Sequence, residues 1–234
     1  MFSLDSARDD NLVFPIWVVT FPYFQYSILS MSLAFDLILF YDKSLMNSID
    51  LREIKLSSET KFKGNLLHVV RDVVQLPNGQ KSIREGIKHP GAVVIIPFLN
   101  TSTLIMERQF RYYPNEIFYE LPAGKTDPGE DFLTTGKREL LEETGYTAKT
   151  WTFISHLYPA IGYADEKMAV YAASDLTIKE IDRDEDEFLE IIEMPLDKAM
   201  EMLRRGEITD AKTMVGLFWA EKLARGDWKA HVRS

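Results

Sequence analysis

Gly124–Tyr146 reads GKTDPGEDFLTTGKRELLEETGY, and the fold turns on this stretch. Pro128 and Gly129 favour a tight turn, where Asp127 can bond nearby backbone. The spacing beyond them predicts a helix from about Asp131 to Thr144. Leu133, Leu140 and Leu141 supply part of its apolar face, and Gly145 stands where a left-handed cap is expected. Glu139, Glu142 and Glu143 then project from one face of that helix. Like charges so placed destabilise an isolated helix by about a few tenths of a kcal/mol per pair, so something should offset them. A hard divalent cation would do so: Mg²⁺ takes oxygen ligands, typically one or two carboxylates with water and substrate phosphate. Taken alone, the cluster reads sooner as a solvated acidic face with Arg138–Glu142 as an i,i+4 pair.

Upstream, the chain reads as strands. Asn65–Gln75 alternates and is rich in Val; Pro77-Asn78-Gly79-Gln80 is a hairpin turn, and Lys81–Lys88 should return antiparallel. Gly91–Leu99 (GAVVIIPFL) reads as a buried strand, turned by Asn100-Thr101-Ser102 and answered by Thr103–Arg111. Downstream, Lys149–Tyr158 and Glu166–Ala173 read as strands, and a last helix over about Asp210–Ala224 has Met214, Leu217, Phe218 and Leu223 as core candidates. Trp219 and Trp228 read as packing residues. Glu180–Glu190 (EIDRDEDEFLE) holds seven acids and one base, which taken alone is a solvated loop.

Gly124, Glu130 and the run Arg138-Glu139-Leu140-Leu141-Glu142-Glu143-Thr144-Gly145-Tyr146 resemble the Nudix box in every defined position. The resemblance implies an α/β/α sandwich of mixed sheets, preceded by a small antiparallel N-terminal β subdomain. It also implies hydrolysis of a nucleoside diphosphate linked to another group, on a loop-helix-loop that holds Mg²⁺ or Mn²⁺. Leu121-Pro122-Ala123-Gly124, together with the placement of Arg84 and Arg111, is similar to the ADP-ribose pyrophosphatase branch. That likeness implies metal held by Glu139, Glu142, Glu143, Glu187 and the Ala123 carbonyl, with Arg138 orienting the glutamates and Glu185 as base. A loop carboxylate can orient and deprotonate a water whose pKa nearby cations have lowered. Arg84 and Arg111 would grip the substrate, because the planar guanidinium fork pairs bidentately with phosphate oxygens; read without the resemblance, each is a surface charge.

The expected reaction cleaves ADP-ribose or a related nucleoside diphosphate sugar to a nucleoside monophosphate and a sugar phosphate. Alternatives are another Nudix substrate, such as GDP-mannose, a dinucleoside polyphosphate or capped RNA, and a non-catalytic ADP-ribose sensor. The segment Tyr158–Glu166 departs from the branch pattern: where it usually has proline, this chain has Ile161, with Pro159 two residues early. The branch further implies a homodimer that exchanges N-terminal sheet elements, here the hairpin at Asn78-Gly79, and shares its nucleotide sites.

Composition bounds the rest. A net charge of −9 and a pI near 5.0 over 234 residues leave no basic footprint for nucleic acid. With no cysteine, disulfides, thiolate catalysis and Cys-ligated zinc are excluded, and a cytoplasmic setting is expected. The four histidines, His68, His89, His156 and His231, lack metal-ligand spacing. Residues 1–50 stand apart: Leu12–Phe35 is apolar and uncharged, but interrupted by Pro15, Pro22 and Gln25. An extension foreign to the native protein, a membrane-associated helix within 11–40 and a folded addition are all open readings. The expected organisation is 1–50 extension, 51–90 N-terminal β subdomain and 91–234 hydrolase domain.

Overall fold

Val93 to Ile96 sit at the centre of the molecule, each with no solvent exposure. They belong to one of ten strands which, with three helices, make up the regular structure of residues 50–179 and 188–229, the part that the computed structural model describes. Glu185, Glu187, His231 and the apolar run 11–40 lie outside these residues.

β1 (Ile54–Lys63), β2 (His68–Gln75) and β3 (Lys81–Lys88) form a three-stranded antiparallel sheet in that order. The Asn78-Gly79 turn closes β2 onto β3 as expected. Gly79 takes φ 83°, which glycine adopts without the Cβ clash, and the Leu76 N–H donates to the Gln80 carbonyl at 2.7 Å. β2 starts three residues later than its alternation suggests, because the Gly64 N–H donates to the Leu67 carbonyl and turns the chain there.

The larger, mixed sheet has β4 (Ala92–Asn100), β5 (Thr103–Arg111), β6 (Glu116–Glu120), β7 (Ala123–Lys125), β8 (Tyr146–Leu157), β9 (Met168–Ile178) and β10 (Leu189–Pro195). Its main path runs β10-β5-β4-β9-β8, with β6 on β5 and β7 on β4. Only β4 and β9 are parallel, from Ala92 opposite Met168 to Pro97 opposite Ala173. The β4–β5 turn is held by Asn100, whose Oδ1 accepts the Ser102 N–H at 2.9 Å.

β4 is apolar on both faces because both are covered. Val93 and Ile95 join Leu140 and Tyr146 on the side of α1 (Phe132–Thr144). Val94 and Ile96 join Leu121, Met194, Leu203 and Leu217 on the side of α2 (Leu196–Arg204) and α3 (Ala211–Ala224). Burying each such aliphatic side chain contributes about 1.5–3 kcal/mol, which makes this strand the spine of the sandwich. Leu217 is buried as expected and Leu223 and Met214 pack partly buried against it, but Phe218 faces solvent at 48% exposure. Trp219 and Trp228 do pack, edge to face at 4.6 Å between ring centroids. Among the described residues, no helix is long and apolar enough to cross a membrane.

Candidate active site

α1 is built by its caps. Asp131 Oδ1 accepts the Thr134 N–H at 2.7 Å, and Gly145 (φ 73°) donates its N–H to the Leu141 carbonyl at 2.8 Å. Such an N-cap contributes about 0.5–2 kcal/mol relative to alanine. Leu140 faces the core, which turns Arg138, Glu139 and Glu142 toward the loop 125–130.

Arg138 is the hub of that face. Its Nε and Nη2 each reach a Glu130 carboxylate oxygen at 3.0 Å, and Nη2 also donates to the Lys125 carbonyl at 3.0 Å. Its Nη1 is shared between Glu139 and Glu142, at 2.9 Å from each. The hydrogen bond from Arg138 is the main cause that holds the Glu130 carboxyl down at about 2, and Thr135 Oγ1 adds a second at 2.9 Å. One guanidinium thus ties the loop to the helix and offsets the repulsion between the helix acids.

β7 completes the site. Because Val93 pairs with Gly124 and Val94 with Ala123, this three-residue strand is fixed against the buried spine. The Ala123 N–H donates to Glu143 Oε2 at 3.1 Å. Glu143 is 7% exposed, the only one of the three helix glutamates in the core. At Gly124 a Cβ would lie 1.8 Å from the Glu139 carboxyl carbon, so the carboxylate rests directly on the glycine backbone. Ala123, Glu139, Glu142, Glu143 and Arg138 are therefore brought together.

Two buried acids that the sequence did not single out stand behind this group. Glu107 on β5 pairs with Glu120 on β6, and they are 2% and 3% exposed. Burial pushes the Glu107 carboxyl up to about 7, against a hydrogen bond with Glu143; the Glu120 charge pushes the same way as burial. Its Oε1 makes no hydrogen bond among the described residues. Glu120 differs: burial would raise it, but hydrogen bonds from Arg111 and the charge of Lys212 prevail and hold it low. Their signal in the sequence was faint, single acids following the apolar runs Leu104–Met106 and Ile117–Tyr119.

The two expected substrate arginines part company. Arg111 lies beside the site, its Nε and Nη2 paired with the two Glu120 oxygens at 2.7 and 2.9 Å. Arg84 lies on β3, pairs with Glu53 and Ser82, and lines a separate cavity of about 190 Å³ with Ile161 and Tyr163. That cavity forms where the Ile87 N–H donates to the Tyr163 carbonyl at 2.7 Å. Within one chain, Arg84 is not joined to the acidic face.

The donor set suits a hard cation: carboxylate and carbonyl oxygens, a carboxylate cradled where a Cβ would intrude, and the buried Glu107 Oε1, which has no hydrogen-bond partner among the described residues. Among the described residues no three acidic or histidine side chains already converge at metal-binding spacing. Arg138 instead holds Glu139 and Glu142 from one side.

Comparison with known proteins agrees with this geometry. The family model described as NUDIX domain matches residues 88–215. The chain is 42% identical over 165 residues to an ADP-ribose pyrophosphatase of Bacillus subtilis (strain 168), covering 70% of this chain and 89% of that protein. It is 38% identical over 167 residues to a methanol dehydrogenase activator of Bacillus methanolicus, covering 70% and 90%. A crystal structure of an ADP compounds hydrolase superposes with TM-score 0.68 at 28% identity, over 75% of this chain and 96% of that one. With the helix acids, their arginine hub and the glycine cradle all in place, the chain belongs to the NUDIX domain family and is a Nudix hydrolase.

Proposed function

We propose that the chain hydrolyses ADP-ribose or a related nucleoside diphosphate sugar, releasing a nucleoside monophosphate and a sugar phosphate. The observation that carries this reading is the joint setting of Glu139, Glu142 and Glu143 against the Ala123-Gly124 backbone. Two relatives supply the substrate class: an ADP-ribose pyrophosphatase at 42% identity and an ADP compounds hydrolase of the same fold.

Mg²⁺, or Mn²⁺, would be held by Glu139, Glu142, Glu143 and the Ala123 carbonyl, with Glu187 as a further ligand. When bound, such cations neutralise diphosphate charge and make water a better nucleophile at neutral pH. The chain's own residues do the rest. Arg138 fixes the rotamers of Glu139 and Glu142, so their carboxylates need little reordering on binding. The Ala123 N–H holds Glu143 in the protein interior. Arg111, anchored by Glu120, offers a planar donor to a phosphate. Glu185 is the proposed base, taking the proton of the attacking water. A cytoplasmic setting and a homodimer belong to the same reading.

The test is a panel of ADP-ribose, other ADP-sugars, GDP-mannose, dinucleoside polyphosphates and capped RNA, with products identified, run beside Glu143→Gln. ADP-ribose should give AMP and ribose phosphate at the highest kcat/KM. Glu143→Gln should lower kcat by about 10³ or more at saturating Mg²⁺, since charge stabilisation by metal supplies several kcal/mol. Near-normal turnover by that variant would overturn the assignment of the site. The same preparations assayed for activation of a dehydrogenase would score the reading that the second relative's name suggests.

A further inference from the structure

Arg111 does not stand alone on its strand. Both oxygens of Glu120 hold it in a two-point fork, and Glu120 is 3% exposed. A buried carboxylate facing one half-exposed guanidinium would draw that guanidinium inward and consume its charge. A second cation prevents this. Lys212, in the first turn of α3, contacts Glu120 Oε2 closely and Asp210 Oδ2 at 2.9 Å, and only 14% of its side chain is exposed. Asp210 is compensated in turn as the α3 N-cap, accepting the Thr213 N–H at 3.0 Å. The same turn grips the next residue of the β6–β7 segment, where Thr213 Oγ1 accepts the Leu121 N–H at 2.8 Å.

We propose that Lys212 and Glu120 are positioning residues for Arg111: Lys212 satisfies Glu120, so that Glu120 fixes the plane of the Arg111 guanidinium without spending its charge, which stays available to a substrate phosphate. The inference rests on the reading of Arg111 as a phosphate ligand. The fork uses Nε and Nη2, and among the described residues Nη1 makes no hydrogen bond. A guanidinium carries five N–H donors in a rigid plane, so fixing one edge also fixes where the others point. Lys212 itself is an unsuitable substrate contact, because its ammonium is engaged by two carboxylates below the surface.

The test is a double-mutant cycle on the full chain with Lys212→Met, Arg111→Ala and the pair, plus Lys212→Arg. The readouts are KM and kcat for ADP-ribose with Mg²⁺, and ADP-ribose affinity by calorimetry with the metal chelated. Lys212→Met should raise KM and weaken metal-free binding by about tenfold, with kcat held within about threefold, the pattern of lost uniform binding. Lys212→Arg should restore most of the loss. In the Arg111→Ala background Lys212→Met should have little further effect, because the two act as one unit. Should Lys212→Met fail to fold, Glu120→Gln takes its place in the same cycle with the same expectation. An unchanged KM in either variant, or equal effects with and without Arg111, overturns the inference while leaving the hydrolase reading intact. A wild-type protein that neither binds nor cleaves any nucleoside diphosphate overturns both.

Discussion

Glu107 is a residue whose charge state is set by its surroundings. Strand alternation carries it inward on the same face as Ile105, and once there it finds Glu120 across the ladder and Glu143 in front. A lone buried carboxylate prefers its neutral form, and one raised to about 7 keeps its proton well above the ordinary value of 4.5. The consequence for stability has a definite sign. Between about pH 4.5 and 7 the unfolded chain has lost this proton and the folded chain has not. Stability from this group therefore declines as pH rises through that window and levels off above it. Thermal unfolding with divalent cations chelated should show this when wild type is compared with Glu107→Gln. The variant's melting temperature should gain on wild type from pH 4.5 to 7 and keep a constant lead beyond. A difference that stays flat from pH 4.5 to 8 would mean that Glu107 is not held protonated.

At the scale of elements, β7 and α1 form a single device, and Gly124 is where they meet. Its φ is not in the left-handed region, so alanine there meets no backbone penalty, and Gly→Ala at a compatible site stabilises by about 0.4–1 kcal/mol through the unfolded state. The new methyl would instead meet the Glu139 carboxyl at 1.8–2.3 Å. That group is the end of a flexible side chain, so it would swing away at small cost to the fold. Gly124→Ala should therefore melt within a few degrees of wild type yet lose about 10²-fold or more in kcat, the effect of misplacing one group by an ångström. A parallel fall in melting temperature would show that the glycine serves packing instead. Much of this device was legible in the sequence: the approximate helix bounds, the Gly145 cap, the acidic face and the β4–β5 hairpin follow from local spacing, whereas the capping role of Asp131 came from the structure. What was not legible lies in long-range pairing. All ten β1 residues are exposed and β6 is only five residues long, too weak a pattern to stand out in the sequence. Lys212 meets Glu120 from 92 residues away, and nothing near either residue announces the other. Phe218 misled because helical spacing marks a stripe but not its width.

For the whole molecule, the small sheet leaves apolar side chains exposed among the described residues, although Val70 and Val74 on β2 are buried. Ile54, Leu56, Phe62 and Ile83 lie on it with 45–61% of their surface exposed, and every β1 residue is exposed. A three-stranded sheet needs one covered face to be stable in its own right. An apolar patch of this kind on a protein surface marks an interaction site. Arg84 is carried on the same sheet and finds no place at the acidic face of its own chain. A second copy that covers the sheet and receives Arg84 at its own site answers both points. We therefore expect a homodimer, at twice the 27.0 kDa chain mass by light scattering at micromolar concentration. Phe62→Glu with Ile83→Glu should shift it to monomer, since burying two unpaired charges in an interface costs far more than their exposure. If the partner supplies Arg84, this monomer should lose affinity for ADP-ribose to about the same extent as Arg84→Ala, and combining the changes should add little. A monomeric variant with wild-type KM would leave Arg84 without a role in the site, and a wild-type protein monomeric at that concentration would leave the exposed sheet to another partner.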